Sequence, residues 1–276
     1  MSIWFWYALM AVGLGGMVWC AKNQRRVANA QLYSVICLVV VAVSAVMALT
    51  SFFGDGELEQ SIENAKQFEL AKVDQIADFV NKNHAGQKVV VLIKSDMLNP
   101  SEHQIDTLKE FNSRVQGQVT LLEPVVLQIT DPSTLQPEDP ESGEMPYIPS
   151  PEEELNAKKF NDKFKECKAA GADVVVNFAG MPAMPEDTQK LIIWRWGTKD
   201  PKVVLAEIME MNFDPKSLLG PVSAFVASKP DAQFDYLKDT APENFKEAFD
   251  LRYVIVTKEN APNVLDENGM IKSGLK

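Results

Sequence analysis

The chain of 276 residues is poor in the side chains that most often build metal sites and covalent scaffolds, since it has two histidines and three cysteines. Three cysteines are too few for a disulfide framework. Two histidines on unrelated segments, His84 and His103, exclude a histidine-rich metal site and leave only weak candidates for Ser-His-Asp catalysis. Both are interpreted as structural, His84 at a helix end and His103 exposed on a helix. The sequence therefore predicts no metal or cofactor.

The motifs that cradle phosphates or activate nucleophiles are missing as well. The sequence contains no Walker-type glycine-rich loop and no GxGxxG after a strand. Cys167 lies on the apolar stripe of a predicted helix, so we expect a buried packing thiol rather than a nucleophile. A receiver domain would carry an aspartate at the end of its third strand, where this chain has Asn177. Nothing in these patterns indicates an enzyme, although none excludes one.

Charge is absent from two long stretches near the N-terminus, Ile3–Cys20 and Leu32–Phe53. As helices these stretches would be about 27 and 33 Å long, close to the ~30 Å hydrocarbon core of a bilayer. The sequence therefore predicts a hairpin of two transmembrane helices, at residues 3–20 and 32–53. A cleaved signal peptide is disfavoured because no basic side chain precedes Ile3 and Trp19 occupies the place of a small residue.

The short connector between these stretches, residues 21–31, carries Lys22, Arg25 and Arg26. The positive-inside rule places it in the cytoplasm and the C-terminal part on the other side of the membrane. The part after residue 56 has no usable N-x-Ser/Thr acceptor, which favours a bacterial origin. We therefore predict an integral protein of the bacterial inner membrane with an extracytoplasmic C-terminal domain.

Small residues on the two apolar stretches predict where their helices touch. Such residues let two backbones approach closely, although they are also common in membrane helices without any packing role. The helical faces in question are Ala8, Ala11 and Gly15 on the first helix and Ala42, Ala45 and Leu49 on the second.

The charge of the remaining chain restricts its partners. Residues 1–56 carry three basic side chains and one acidic one, so the net charge of −11 for the whole chain leaves −13 for the rest. Such a domain repels phosphate backbones, so we predict that it has no nucleic-acid partner. Residues 57–84 have the pattern of an amphipathic linker helix. It either packs on the following domain or pairs with another chain, so that residues 1–84 are a candidate region for a protein partner or self-association.

Residues 85–276 alternate between short β-branched runs and helical patterns. Buried strands are predicted at residues 89–93, 173–178, 203–206, 222–226 and 253–257. Continuous apolar strands that alternate with helices predict a single doubly wound, mainly parallel, Rossmann-like sheet. Ser101 and Gln104, at capping-box spacing, predict a helix that starts near Pro100. Residues 131–154 contain six prolines and eight carboxylates, and are predicted to be a solvated loop, with a recognition element as the alternative.

Ligands of open α/β sheets bind beyond the carboxyl ends of the strands. Several side chains of this sequence follow predicted strands and could reach such a site, or could merely cap the next helix. The candidate ligand-binding residues are Ser95, Asp96, Asn99, Asn177, Met181 and Glu207.

Residues 88–178 resemble one lobe of the type I periplasmic sugar-binding proteins. The resemblance lies in the strand Val89–Lys94, in Asn99-Pro100 leading towards a helix, and in the segment Glu166–Asp173 before a hydrophobic strand. It implies a Rossmann-like fold. The family has two lobes around a cleft and aromatic residues that stack on sugars. This chain has length for one lobe and no clear counterpart of those aromatics.

Three functions follow from the sequence. The first is a membrane-anchored, non-catalytic extracytoplasmic domain that binds a partner protein or ligand in an envelope complex. The second is a small-molecule sensor or an enzyme with its site at the strand carboxyl ends. The third is a membrane hairpin that serves as an assembly subunit of a transporter, which the lack of charge within either apolar stretch disfavours.

Overall fold

The structure is a computed structural model that describes residues 3–22, 30–52, 55–130, 150, 154–206, 220, 222–232, 234–267 and 270–275. The chain forms two compact units. The first, Met1–Asn64 with Asp235–Thr240, is named the helical unit, and the second, Ala65–Phe234 with Ala241–Lys276, is named the α/β unit.

The described helices are α1 (Ile3–Lys22), α2 (Ala30–Phe52), α3 (Asp55–Asn83), α4 (Thr107–Val115), α5 (Ala157–Ala169), α6 (Pro185–Thr188), α7 (Phe245–Arg252) and α8 (Ala261–Val264). Single 3₁₀ turns lie at Ser95–Leu98 and Ile192–Arg195. The described strands are β1 (Lys88–Lys94), β2 (Thr120–Leu121), β3 (Val125–Leu127), β4 (Val174–Asn177), β5 (Lys202–Leu205), β6 (Val222–Ser228) and β7 (Tyr253–Thr257).

Helices α1 and α2 pack through glycines. A Cβ atom placed on Gly13 would lie 2.7 Å from Val41 Cγ2, and one placed on Gly16 would lie 2.8 Å from Cys37 Sγ. The later glycine faces the earlier residue of α2, so the two helices run antiparallel. The small-residue face predicted for each helix is not the face that packs. Ala8, Ala11 and Ala42 are exposed, and a Cβ atom placed on Gly15 would meet nothing within 4 Å.

Across the described parts of the chain, no helix combines the length and the apolar character that crossing a membrane requires. This finding contradicts the predicted transmembrane hairpin of residues 3–20 and 32–53. The predictions of a membrane partner, of an inner-membrane location and of an extracytoplasmic domain depend on that hairpin, and they are contradicted by the same finding.

The described side chains of α1 and α2 nevertheless present a largely apolar surface. Val12, Val18 and Trp19 are 72%, 60% and 56% exposed on α1, and Val35 and Val39 are 56% and 55% exposed on α2. Exposed apolar surface of this kind promotes self-association in water. Measurements on the full chain therefore require a mild detergent.

The first part of α3 holds the segment Asp235–Thr240 within the helical unit. The side-chain amide of Asn64 donates hydrogen bonds to the carbonyl oxygens of Tyr236, at 2.9 Å, and Asp239, at 2.7 Å. Gln60 donates a further bond of 2.8 Å to the Asp239 carbonyl oxygen. These bonds explain why a segment far along the chain belongs to the helical unit.

The α/β unit contains a seven-stranded mixed sheet in the order β2-β1-β4-β5-β6-β7, with β3 also paired to β1. Strands β2 and β3 both lie parallel to β1, along its beginning and its end, and are separated by a break that contains Pro124. Strands β4, β5 and β6 are parallel, and β7 is antiparallel to β6. The predicted α/β fold with mainly parallel strands is therefore found.

Both faces of this sheet are buried, as the continuous apolar strands predict. Alternate residues of a strand point to opposite faces. Val90, Leu92 and Val175 belong to a core cluster with Phe160 and Phe164 of α5. The intervening residues of β1 and β4 are also almost fully buried, namely Val89, Val91, Ile93, Val174 and Val176.

The helix predicted to start near Pro100 begins later, at Thr107. Asp106 is its N-cap, because the Asp106 carboxylate accepts a hydrogen bond of 2.9 Å from the Lys109 backbone N–H. Gln104 still reaches back to the Ser101 N–H, at 3.0 Å, but this contact closes a turn ahead of α4. The predicted acidic loop 131–154 lies outside the described residues except for Ser150 and Glu154.

Candidate functional site

The order of the strands places a topological switch point between β1 and β4. The chain leaves β1 towards β2 and β3 on one side and later returns to form β4 on the other side. Leu92 is paired with Asn177 in register, and the Leu92 carbonyl oxygen accepts hydrogen bonds from the N–H groups of Phe178 and Ala179, at 2.8 and 3.1 Å. In this fold class a ligand crevice forms outside the carboxyl ends of strands at such a point.

The side chain of Ser95, the first residue after β1, is hydrogen-bonded to the segment that follows β3. The Ser95 hydroxyl accepts a hydrogen bond of 3.0 Å from the Ile129 N–H and donates one of 3.3 Å to the Ile129 carbonyl oxygen. The side chain therefore fastens the segment after β3 to the end of β1. This predicted ligand-binding residue has a structural role here.

The side chain of Asn177, the last residue of β4, is also engaged in hydrogen bonds to the backbone. Its side chain is 1% exposed. The Asn177 amide nitrogen donates a hydrogen bond of 2.7 Å to the Gly180 carbonyl oxygen, and the amide oxygen accepts one of 2.9 Å from the Ala179 N–H. These bonds close the turn in which Gly180 has a φ of +80°, a conformation that favours glycine.

Asp96 differs from its two neighbours at the switch point because it borders open space. It is exposed and lies in the 3₁₀ turn directly after β1. A cavity of about 300 Å³ opens beside it, and its lining residues come from α3, from the 3₁₀ turn and from the segment that leads into α4. Those residues are Ala65, Lys66, Glu69, Asp96, Met97, His103, Gln104, Ile105 and Thr107.

Charges of both signs line this switch-point cavity. The Lys66 ammonium donates a hydrogen bond of 2.7 Å to the Glu102 carbonyl oxygen, and the Glu69 carboxylate forms an ion pair of 2.9 Å with the buried ammonium group of Lys72. Those contacts fix the α3 wall of the cavity. Asp96, Gln104 and Thr107, which lie outside α3, add a carboxylate, an amide and a hydroxyl to the lining.

The other predicted ligand-binding residues do not line this cavity. Asn99 is exposed at the end of the 3₁₀ turn, and Met181 is packed against the hydrophobic core. Glu207 lies outside the described residues. The structure thus places Ser95, Asp96 and Asn177 around the switch point, and only Asp96 borders the cavity.

The α3 residues of the cavity were missed from the sequence. Lys66 and Glu69 are three residues apart and so share one helix face, which is a usable signal for a polar stripe. The stripe gains meaning only once the fold brings α3 beside the end of β1. His103 was named from the sequence as an exposed residue, and it is exposed, but it lies ahead of α4 rather than within a helix.

Cys167 matches the expectation of a buried packing thiol. It belongs to the core cluster with Phe160 and Phe164 and is 0% exposed. Burial in these apolar surroundings raises the pKa of the Cys167 thiol to about 12. A thiol with such a pKa is not ionised near neutral pH and is a poor nucleophile.

Within the described part of the chain, no group of three or more histidine, cysteine, aspartate or glutamate side chains is placed to hold a metal ion. Comparison with known proteins adds no function: no protein-family model matches the chain, and no curated protein matches it either.

Proposed function

We propose that the α/β unit is a non-catalytic binding domain that takes a small polar ligand in the switch-point cavity. The observation that carries the proposal is the position of Asp96. Its exposed carboxylate follows β1 at the edge where ligands of open α/β sheets bind, and it borders a cavity of about 300 Å³. That volume is at the lower end of the range for small-molecule sites.

The polar groups of the cavity indicate the class of ligand. The Asp96 carboxylate accepts hydrogen bonds, and Gln104 and Thr107 can both donate and accept. A ligand with several hydroxyl groups, or with an amine beside a hydroxyl, would match this set. Monosaccharides and amino acids have suitable size, and the resemblance of residues 88–178 to a sugar-binding lobe makes monosaccharides the first class to test.

Binding rather than catalysis is proposed because of how the remaining charged groups are used. Lys66 contacts the Glu102 carbonyl oxygen and Glu69 is ion-paired with Lys72. Groups held in this way shape a wall instead of standing ready to transfer protons.

A thermal-shift screen of the full chain in mild detergent tests the proposal. The panel consists of monosaccharides, amino acids and amino alcohols, and hits are measured again by calorimetry. Asp96→Asn keeps the shape of the side chain but removes its charge. Asp162→Asn is the matched control, because Asp162 is an exposed carboxylate on α5 whose ion-pair partner is Lys165.

We expect a ligand that raises the melting temperature of the wild-type chain and of Asp162→Asn. The same ligand should bind Asp96→Asn at least about tenfold more weakly, because a lost hydrogen bond to a charged group has an effect of this size. The proposal is wrong if no member of the panel binds, or if a hit binds Asp96→Asn as tightly as the wild-type chain.

A further inference from the structure

A second polar cavity lies at the opposite edge of the same sheet. The parallel strands β5 and β6 begin there, at Lys202 and Val222, and the antiparallel strand β7 ends there. The cavity has a volume of about 350 Å³ and is lined by Phe79, Asn83, His84, Lys202, Gly220, Val222, Ser223, Lys258 and Glu259. It is named the amino-edge cavity, and it shares no lining residue with the switch-point cavity.

His84 gives this cavity an unusual wall. The residue follows α3 and is only 7% exposed. Its Nδ1 atom lies 2.9 Å from the side-chain oxygen of Gln87. The His84 Nε2 atom is buried and has no hydrogen-bond partner in the described part of the protein. Buried polar atoms are nearly always paired, so an orphan of this kind needs an explanation.

The contact with Gln87 fixes which ring nitrogen of His84 carries the proton. An amide oxygen only accepts hydrogen bonds, so the Nδ1 atom must donate and the Nε2 atom of the neutral ring holds a free lone pair. Burial lowers the pKa of His84 below its ordinary value of 6.5, and the positive charge of Lys202 lowers it further. The ring is therefore neutral at pH 7, and its Nε2 atom can only accept a hydrogen bond or bind a metal.

The charges around the cavity distinguish these two uses. Two ammonium groups, of Lys202 and Lys258, line it together with one carboxylate, of Glu259. A divalent cation would be repelled by the excess of positive charge, whereas an anion would be attracted. The Ser223 hydroxyl adds a neutral group that can donate or accept a hydrogen bond.

We propose that the amino-edge cavity binds a small anion that carries its own hydroxyl group, such as hydrogen phosphate. The hydroxyl of the anion donates to His84 Nε2, a buried atom that must become accessible when the anion binds, and the charged oxygens of the anion lie beside Lys202 and Lys258. An anion without a hydroxyl would leave the Nε2 lone pair unsatisfied and would place its own lone pairs against it. The site thereby distinguishes two anions of the same shape and charge sign by whether one of their oxygen atoms carries a proton.

Phosphate and sulfate are a matched pair for the test. Both are tetrahedral oxyanions, but at pH 7 phosphate retains at least one P–OH group and sulfate retains none. Glycolate and acetate are a second pair that differ by one hydroxyl. Each anion is titrated into the full chain, labelled with ¹⁵N at histidine, and the Nε2 resonance of His84 is followed. The chain has only two histidines, and the resonance that is lost in His84→Gln belongs to His84.

The expected result is a saturable shift of the His84 Nε2 resonance with phosphate and affinity at least about tenfold higher than for sulfate. Lys258→Gln, a change at an exposed residue, should weaken phosphate binding severalfold and keeps the test valid if His84→Gln does not fold. Equal affinities for phosphate and sulfate, binding of neither, or a resonance that responds only to Zn²⁺ would each overturn the proposal.

Discussion

Replacement of Asn177 by alanine separates a structural role from a ligand-binding role at the switch point. The Asn177 amide closes the turn after β4 through one bond to the Gly180 carbonyl oxygen, of 2.7 Å, and one from the Ala179 N–H, of 2.9 Å. The side chain is 1% exposed, so its removal takes both bonds from a buried part of the turn. We therefore expect Asn177→Ala to lower stability and to leave ligand binding intact.

The size of the effect follows from what each partner retains. Two lost hydrogen bonds cost about 0.5–1.5 kcal/mol each. The Ala179 N–H keeps its second acceptor, the Leu92 carbonyl oxygen at 3.1 Å, and Gly180 is only half-buried, so the Gly180 carbonyl can be hydrated. The additional penalty for an unsatisfied buried group is therefore small. The free energy of unfolding should fall by about 2 kcal/mol.

Urea denaturation of the full chain in mild detergent, followed by circular dichroism, measures this change. Asn263→Ala, at an exposed position within α8, is the control and should change stability by less than about 0.5 kcal/mol. Any ligand found in the switch-point cavity should bind Asn177→Ala within about threefold of the wild-type affinity. Stability equal to that of the wild-type chain, or loss of the ligand without loss of stability, would refute the reasoning.

Three further predictions concern His84, Cys167 and the packing of α1 against α2. Because burial lowers the pKa of His84 below 6.5, the unfolded chain binds more protons than the folded one just below that pH, and the free energy of unfolding should fall as the pH drops through it. Urea titrations at about pH 7.5 and 5.5 should show a smaller fall in His84→Gln, and an equal fall would contradict the prediction. Cys167, with its pKa of about 12, should resist iodoacetamide in the folded chain and react after denaturation, as peptide mass spectrometry can determine; rapid labelling of the folded chain would show the thiol to be accessible. Gly16→Val should displace Cys37, whose Sγ lies 2.8 Å from a Cβ built on Gly16, and speed the reaction of Cys37 with a maleimide, whereas Gly15→Val should not, and equal rates in both variants would contradict this packing.

The strands were the most predictable part of the fold. Strands buried on both faces are continuous apolar runs, and the predicted segments 89–93, 173–178 and 253–257 lie within one or two residues of β1, β4 and β7. The direction of a strand leaves no such mark. Strand β7 is as apolar as its parallel neighbours, so only the pairing with β6 reveals that it is antiparallel.

The packing face of α1 and α2 was not predictable for a related reason. A helix that is apolar on all sides carries no stripe that distinguishes the packed face from the others. Gly13, Gly15 and Gly16 were all visible as small residues, and the neighbours of α2 decide which of them are used. Gly13 and Gly16 face Val41 and Cys37, and Gly15 faces away.

The start of α4 illustrates a competition between two local signals. Ser101 and Gln104 have the spacing of a capping box, and Asp106 is an equally good N-cap residue. The Gln104 side chain bonds to the Ser101 N–H in the structure, so the first signal is used, but only to close a turn. The helix starts after Asp106 because its carboxylate accepts the hydrogen bond from the Lys109 N–H, and Gln104 and Ile105 before it line the switch-point cavity.

The candidate site combines a predictable residue with unpredictable surroundings. The polar side chains directly at the strand ends are those of Ser95 and Asn177, and both form hydrogen bonds with the backbone of neighbouring loops. Asp96 lies one step beyond the first of these and is exposed beside the cavity. The sequence names all three residues alike, because hydrogen bonds to backbone atoms of distant segments such as Ile129 cannot be read from spacing. Among the three predicted residues at this switch point, Asp96 is the one whose side chain borders the cavity, and it is therefore the residue to test first.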